Sequence, residues 1–230
     1  MSKIKLQNVT LVAVSSIKIP ETKKALEVSQ KDIEFYDVKL IADQDIRSSN
    51  EYSEFILYKL YKYIESDFAL VIQYDGYVVR PEKWDDKFLQ YDYIGAPWPA
   101  NMHFTKEGVE VRVGNGGFSL RSKKLLNALN ELRLPFTDND TGFFHEDGII
   151  CNHYRKALED YGIKFAPVDV AARFSKELLV PETVESFGFH KYKDLKKKYP
   201  NFENYRLGIF ALMGKKIKYI LKSLQKKLLK

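Results

Sequence analysis

The chain has 230 residues, 45% of them hydrophobic and 30% charged, with 12 Gly and 8 Pro, a composition that can bury a sizeable core and excludes a disordered or fibrous protein. Its single cysteine, Cys151, excludes an internal disulfide, no Cys/His cluster has zinc spacing, and a reducing compartment is expected. The net charge of +6 is not a nucleic-acid signature, because the eight positive charges after Glu203, where no acidic residue occurs, leave residues 1–203 at −2.

In chain order, Val9–Val14 is a short β-rich apolar run ending in Ser15-Ser16, and Pro20 opens a stretch with helical spacing at Ala25, Leu26 and Val28. The apolar run from Thr10 to Val14 is far shorter than a signal-peptide core, and no stretch approaches 18 apolar residues, so neither export nor a membrane span is expected. Alternation predicts a strand over Phe35–Ile41, helical spacing a helix over Tyr52–Ile64, and Phe68–Gln73 a third strand. This order implies a parallel sheet with helices on its faces, where ligands sit outside the carboxyl ends of the strands. Tyr74, Asp75 and Gly76 follow the third strand directly.

Further on, the pattern predicts a short helix over Trp84–Tyr91, a turn-rich aromatic loop over Tyr93–Pro99 and a strand over Val109–Val113. Three glycines in Gly114-Asn115-Gly116-Gly117 suggest backbone packed against something that tolerates no side chain, with Ser122 as cap for a helix over Leu125–Leu132. A helix over Asp147–Tyr161, a strand over Lys164–Val168 and Phe187-Gly-Phe-His190 complete one α/β body.

Four places could carry chemistry. Asp75, at a strand end beside a glycine, can hold a hard divalent cation or a ribose hydroxyl, or simply make an Asp-Gly turn. The Gly114–Gly117 segment is neither a P-loop nor a dinucleotide fingerprint. His145-Glu146-Asp147 opens a helix, where carboxylates also act as plain caps; the preceding Gly142-Phe143-Phe144 could desolvate a carboxylate toward the range of a general base. His190 depends on its neighbours, and Cys151 reads as a buried helical residue.

Together, Gln73-Tyr-Asp-Gly-Tyr77, Trp84-Asp-Asp, Tyr91–Pro99, Gly114-Asn-Gly-Gly-Phe-Ser-Leu-Arg121, His145-Glu-Asp147, Phe165-Ala-Pro167, Ala171–Ser175 and Phe187–His190 resemble the bacterial DUF5672 family, which is similar to GT-A glycosyltransferases. The resemblance spans roughly residues 66–190. It implies a GT-A-like (Rossmann-like), mixed and mostly parallel sheet flanked by helices, over residues 1–204. It also implies that Asp75 stands for the last position of an Asp-x-Asp metal motif whose first position is here Gln73, and that His190 completes the Mn²⁺ or Mg²⁺ shell. The Gly-Gly-Phe segment and the Glu-Asp pair resemble those of the β-1,4-galactosyltransferase group. By that likeness Asn115, Gly116, Gly117 and Phe118 line the donor and acceptor sites together with Tyr74, Asp75 and Gly76. Asp147 is assigned as catalytic base and Glu146 as a binder of hydroxyls, although the reverse also satisfies the pattern. Ser15 is placed at the nucleotide by fold analogy. Trp98 and Tyr93 offer flat faces for a sugar or uracil ring, or pack as core.

Residues 205–230 set Ile209, Met213, Ile217, Ile220, Leu221, Leu224 and Leu228 at three- and four-residue spacing with lysines between them, an amphipathic basic helix suited to an anionic membrane surface or to docking on the body. The expected protein is a cytoplasmic glycosyltransferase, peripheral on the inner face of the cell membrane. It would use a UDP-sugar, a glycan or lipid-linked glycan acceptor of surface polysaccharide or lipopolysaccharide synthesis and no nucleic acid, and would invert the anomeric centre. A nucleotidyltransferase would need a glycine-rich loop that Ser15-Ser-Ile-Lys18 lacks. A non-catalytic nucleic-acid-binding protein would need a basic groove that a body at −2 does not promise, and leaves the acidic pair unexplained. A non-catalytic scaffold is separated only by an activity assay.

Overall fold

A computed structural model describes residues 3–42, 45–98, 113–136, 145–177, 180 and 183–191. Strand β1 (Ile4–Val14) alternates at its start and is fully buried from Val9 onward, as a strand with parallel neighbours on both sides must be. Its neighbours are β2 (Ile33–Ile41) and β3 (Phe68–Ile72), both parallel to it, with Val12 opposite Lys39 on one side and Val71 on the other. Two antiparallel strands, β8 (Phe118–Ser122) and then β5 (Tyr93–Ile94), complete a five-stranded sheet of order β2-β1-β3-β8-β5. The sheet is therefore mixed, with its parallel part at the N-terminal end.

Between β1 and β2 runs α1 (Ile19–Ser29), with Pro20 in its first turn, where the missing N–H costs nothing. Helix α2 (Ser49–Tyr58) opens with a capping box: Ser48 Oγ accepts the Glu51 N–H at 3.2 Å, and Glu51 accepts the Arg47 N–H at 2.7 Å. The helix expected over Tyr52–Ile64 thus starts earlier, ends at Tyr58 and tightens into a 3₁₀ turn over Leu60–Tyr63. Helix α3 (Lys123–Glu131) is capped as expected, Ser122 Oγ accepting the Leu125 N–H at 3.0 Å. Phe55, Ile56 and Leu60 pack with Leu126 on Val12, Ala69 and Val71, while Leu125 and Leu129 join Tyr93, Trp98, Ile149, Ile150 and Cys151 in a neighbouring apolar cluster.

Small sheets fasten the later segments. The order β4-β10-β9 joins β4 (Gly76–Val78), β10 (Gly188–His190) and β9 (Ser175–Lys176), with β10 in the middle. A two-stranded piece pairs β6 (Ala96–Pro97) with β7 (Val113–Gly114). The loop expected over Tyr93–Pro99 is therefore two short strands over its described part. The short helix expected over Trp84–Tyr91 is a 3₁₀ turn over Asp86–Gln90.

The strand expected over Lys164–Val168 is reduced to one bridge between Phe165 and Tyr93. Pro167 has no N–H to extend that pairing, and α6 (Val168–Phe174) starts behind it. The helix expected over Asp147–Tyr161 is also divided: α4 (Glu146–Gly148), a π turn over Ile149–His153, then α5 (Arg155–Asp160). Residues 1–190 form one compact unit. Gly142-Phe143-Phe144, the residues before Val113 where a strand is expected, and residues 205–230 where a basic helix is expected lie outside the described residues. Among the described residues no helix is long and apolar enough to cross a membrane.

Candidate functional site

The parallel strands β1 and β3 end side by side, and the residues that follow them come into contact. After β1, Ser15 donates its N–H to Ile41 O at 3.0 Å and its hydroxyl to Ile17 O, so both groups serve to shape the turn. Lys18, at the start of α1, takes a positive φ of 52°, an uncommon conformation for a non-glycine residue. Its ammonium stands 3.7 Å from the centre of the Tyr74 ring, a cation–π contact that ties the β1–α1 turn to the end of β3.

Behind Tyr74, Asp75 is 5% exposed and His190 4%. Antiparallel pairing of β10 with β4 sets His190 opposite Gly76, and its Nε2 lies 3.3 Å from Asp75 Oδ1. On the other side of the ring, Nδ1 is 3.2 Å from Glu177 Oε1. Asp75 and His190, more than a hundred positions apart in sequence, thus meet at the carboxyl end of β3.

The glycine loop answers what its residues pack against. A Cβ on Gly114 would lie 1.8 Å from the Trp98 ring, one on Gly116 1.8 Å from Glu146 Oε1, and one on Gly117 2.1 Å from His190 Nε2. Asn115, not a glycine, takes the positive φ of 73°. The glycines are required by close approach of the protein's own side chains. The loop is pinned at four further points: Gln73 N–H donates to Gly117 O at 2.9 Å, Gly117 N–H to Asn115 Oδ1 at 3.1 Å, Tyr93 OH to Asn115 O at 3.2 Å, and Gly116 N–H to Asp147 Oδ2 at 3.0 Å. Gln73, which stands where the first acidic residue of the motif is expected, also accepts the Gly76 N–H at its backbone carbonyl at 2.9 Å.

The two members of the acidic pair are treated differently. Glu146 is buried, and its Oε1 accepts from Arg121 Nη2 at 3.0 Å. Burial first, and then the adjacent Asp147 charge, push the Glu146 carboxyl above its usual range, while Arg121 pulls it back. Arg121 is fully buried, also bonds Ser119 Oγ at 3.0 Å and lies 5.5 Å from the Tyr93 ring centre. Asp147 is only half-buried, its two oxygens taking the N–H groups of Gly116 and Gly148 at 3.0 and 2.9 Å. Those bonds fix its rotamer and leave lone pairs on both oxygens. Glu146, expected to bind hydroxyls, is bonded to Arg121 and braces the loop from inside.

Trp98 and Phe118, expected near the donor and acceptor, are also buried. Trp98 is 4% exposed and packed on Gly114; Phe118 is fully buried among Phe174, Phe187 and Gly188. Tyr93 is also fully buried. These rings support the site and present no open face. Sequence reasoning missed Glu177, Arg121 and Lys18 as members of this site. Only Arg121 had a signal, a charge inside an otherwise apolar strand, Phe118-Ser-Leu-Arg121.

A carboxylate oxygen and an imidazole nitrogen 3.3 Å apart are close enough to share one ion, and the imidazole's other nitrogen rests on a carboxylate in the way metal-binding histidines are oriented. No group of three or more His, Cys, Asp or Glu residues able to hold a metal occurs among the described residues. A cation here would take its remaining ligands from phosphate oxygens and water, as Mg²⁺ and related hard ions do in phosphate-handling sites. The residues fit the ion as a two-ligand platform.

Fold and site together define an α/β domain with its polar cluster at the carboxyl ends of parallel strands, where such sheets bind ligands. The chain belongs to the family described as "Protein of unknown function (DUF5672)", which it matches over residues 35–190. No curated protein matches it. Among solved structures it is similar to one described as "Crystal structure of a glycosyltransferase involved in the glycosylation of the major capsid of PBCV-1", with 16% identity, a TM-score of 0.49, and coverage of 79% of this chain and 91% of that one.

Proposed function

We propose that this protein is a glycosyltransferase that moves a sugar from a nucleotide-activated donor, expected to be a UDP-sugar, to a glycan or lipid-linked glycan acceptor. One observation carries the reading: an unbroken run of contacts joins two carboxylates suited to opposite ends of a transfer reaction. Asp75 faces His190 at 3.3 Å, His190 lies on Gly117, and the Gly116 N–H is bonded to Asp147 at 3.0 Å. One end suits a departing diphosphate and the other suits the proton of an attacking hydroxyl.

Asp75 and His190 would hold Mn²⁺ or Mg²⁺, which when bound neutralises charge on the leaving diphosphate. Asp147, half-buried with its rotamer fixed by two N–H bonds, would take the acceptor proton, a role that requires an approach to about 3 Å. Direct attack assisted by such a base inverts the anomeric centre. Glu146 and Arg121 keep the loop between the two ends in place. The Lys18–Tyr74 pair would border the nucleotide. The basic helix expected over residues 205–230 would hold the enzyme on an anionic membrane surface, on the cytoplasmic side.

Calorimetric titration of UDP and GDP with and without Mn²⁺, on the wild type, Asp75→Ala and His190→Ala, tests the donor site. UDP binding that requires Mn²⁺ and is lost in both variants supports it, and incubation with UDP-sugars followed by mass spectrometry of the products then identifies the transfer. Absence of nucleotide binding would remove the enzymatic reading in favour of a scaffold.

A further inference from the structure

We propose that Glu177 is the positioning residue that orients His190 toward the cation, an inference that rests on the reading of Asp75 and His190 as a divalent-cation platform. Strand β10 runs between β4 and β9, and its register places Phe189 beside both Tyr77 and Lys176. The next position on each strand brings His190 beside Gly76 on one side and level with Glu177, just past β9, on the other. A row of three residues results: Asp75 at the head of β4, His190 in the centre and Glu177 beyond β9.

The imidazole is held from three directions. Its Nδ1 is 3.2 Å from Glu177 Oε1 and its Nε2 3.3 Å from Asp75 Oδ1, while the Gly117 backbone lies against the ring so closely that a Cβ there would reach 2.4 Å from Cε1 and 2.5 Å from Cδ2. The Glu177 carboxylate oxygen accepts a hydrogen bond from Nδ1–H, which sets the tautomer with the Nε2 lone pair on the Asp75 side. Were a cation held by Nε2, Glu177 would serve as the outer carboxylate that fixes ring orientation and raises ligand basicity, as recurs in metalloproteins. Glu177 meets the opposite nitrogen from Asp75, so it acts through His190. Its side chain is 16% exposed and that of His190 5%, so the pair is well screened from water.

The test is Mn²⁺ binding to the full chain, read as free Mn²⁺ by electron paramagnetic resonance, without UDP and with saturating UDP. Glu177→Ala is expected to weaken Mn²⁺ about 10- to 100-fold, the usual effect of removing an outer-shell partner. Glu177→Gln, which keeps an acceptor for Nδ1–H but no charge, is expected to fall between that variant and the wild type. In a His190→Ala background Glu177→Ala is expected to add almost nothing. Without Mn²⁺ the wild type and both single Glu177 variants should show the same loss of UDP binding. An unchanged Mn²⁺ affinity in a folded Glu177→Ala protein overturns the inference, as does an equal further loss in the His190→Ala background. If Glu177→Ala does not fold, Glu177→Gln carries the test, and wild-type affinity there overturns the inference. A wild type that binds no Mn²⁺ under either condition removes the cation platform and this inference together. Sugar transfer persisting in chelator would leave the glycosyltransferase reading standing.

Discussion

The Gly117 backbone and the His190 ring are in contact so close that a single methyl group does not fit between them: a Cβ on Gly117 would sit 2.1 Å from Nε2. That contact couples the glycine loop to the strand-end carboxylate, because the same Nε2 faces Asp75.

Gly117→Ala must therefore displace the imidazole. It is expected to lose Mn²⁺-dependent UDP binding by at least about tenfold and to cost about 1–3 kcal/mol of stability, the range for overpacking a rigid site. Gly148→Ala is the contrast, since nothing lies within 4 Å of the added carbon; it should bind as the wild type does. Calorimetry and urea denaturation of both proteins check the pair.

Arg121 and Glu146 form a buried ion pair whose partners cannot reach water. Arg121→Met, which leaves the carboxylate without its cation, is expected to destabilise the fold by about 3–5 kcal/mol. Glu146→Gln retains an acceptor for Arg121 and should cost less. Equal losses in denaturant titrations would contradict this account of the pair.

The same carboxyl gives a pH signature. Burial raises the Glu146 pKa above the ordinary 4.5, so the folded state binds that proton more tightly than the unfolded one. Its contribution is most favourable below 4.5 and is lost as pH rises through the folded value. Melting temperatures of wild type and Glu146→Gln, measured across this window, should show the wild type's advantage over the variant largest in acid and shrinking as pH rises through the folded value.

Asp147→Asn preserves an acceptor for the Gly116 N–H but removes the base. Turnover is expected to fall about 10²- to 10⁴-fold with the donor KM nearly unchanged, and the wild-type product should carry the inverted configuration by NMR. A fall in donor affinity equal to the fall in turnover would place Asp147 in binding instead.

Residues 205–230 should bring the full chain to the top of a flotation gradient with anionic liposomes at low salt and release it at high salt, since each lysine near the surface adds about 1 kcal/mol of screened attraction. The chain ending at Asn204 should stay at the bottom. Identical behaviour of the two proteins would remove the membrane from this reading.

Much of this protein is legible in its sequence because the information is local. The buried run Val9–Val14, the cap at Ser122 and the Asp-Gly turn after β3 depend on residues a few positions apart, and periodicity and capping read such distances well. Similarity of the motif strings marked Asp75, His190 and the Glu-Asp pair as candidates. What the sequence could not assign depends on which segments meet. The strand expected over Lys164–Val168 is a bridge and then a helix because it meets only the short stretch at Asp92 and Tyr93 among the described residues and Pro167 cannot extend the pairing. Glu146 and Asp147 are adjacent in sequence, yet one faces Arg121 in the interior and the other bonds Gly116 at the half-buried edge. Glu177 joins the site through the parallel register of β9 with β10, and the glycines of the loop are explained by Trp98, Glu146 and His190 pressing on them. Charge, spacing and cap chemistry are written along the chain, whereas burial and the pairing of distant side chains exist only once the strands have taken their register.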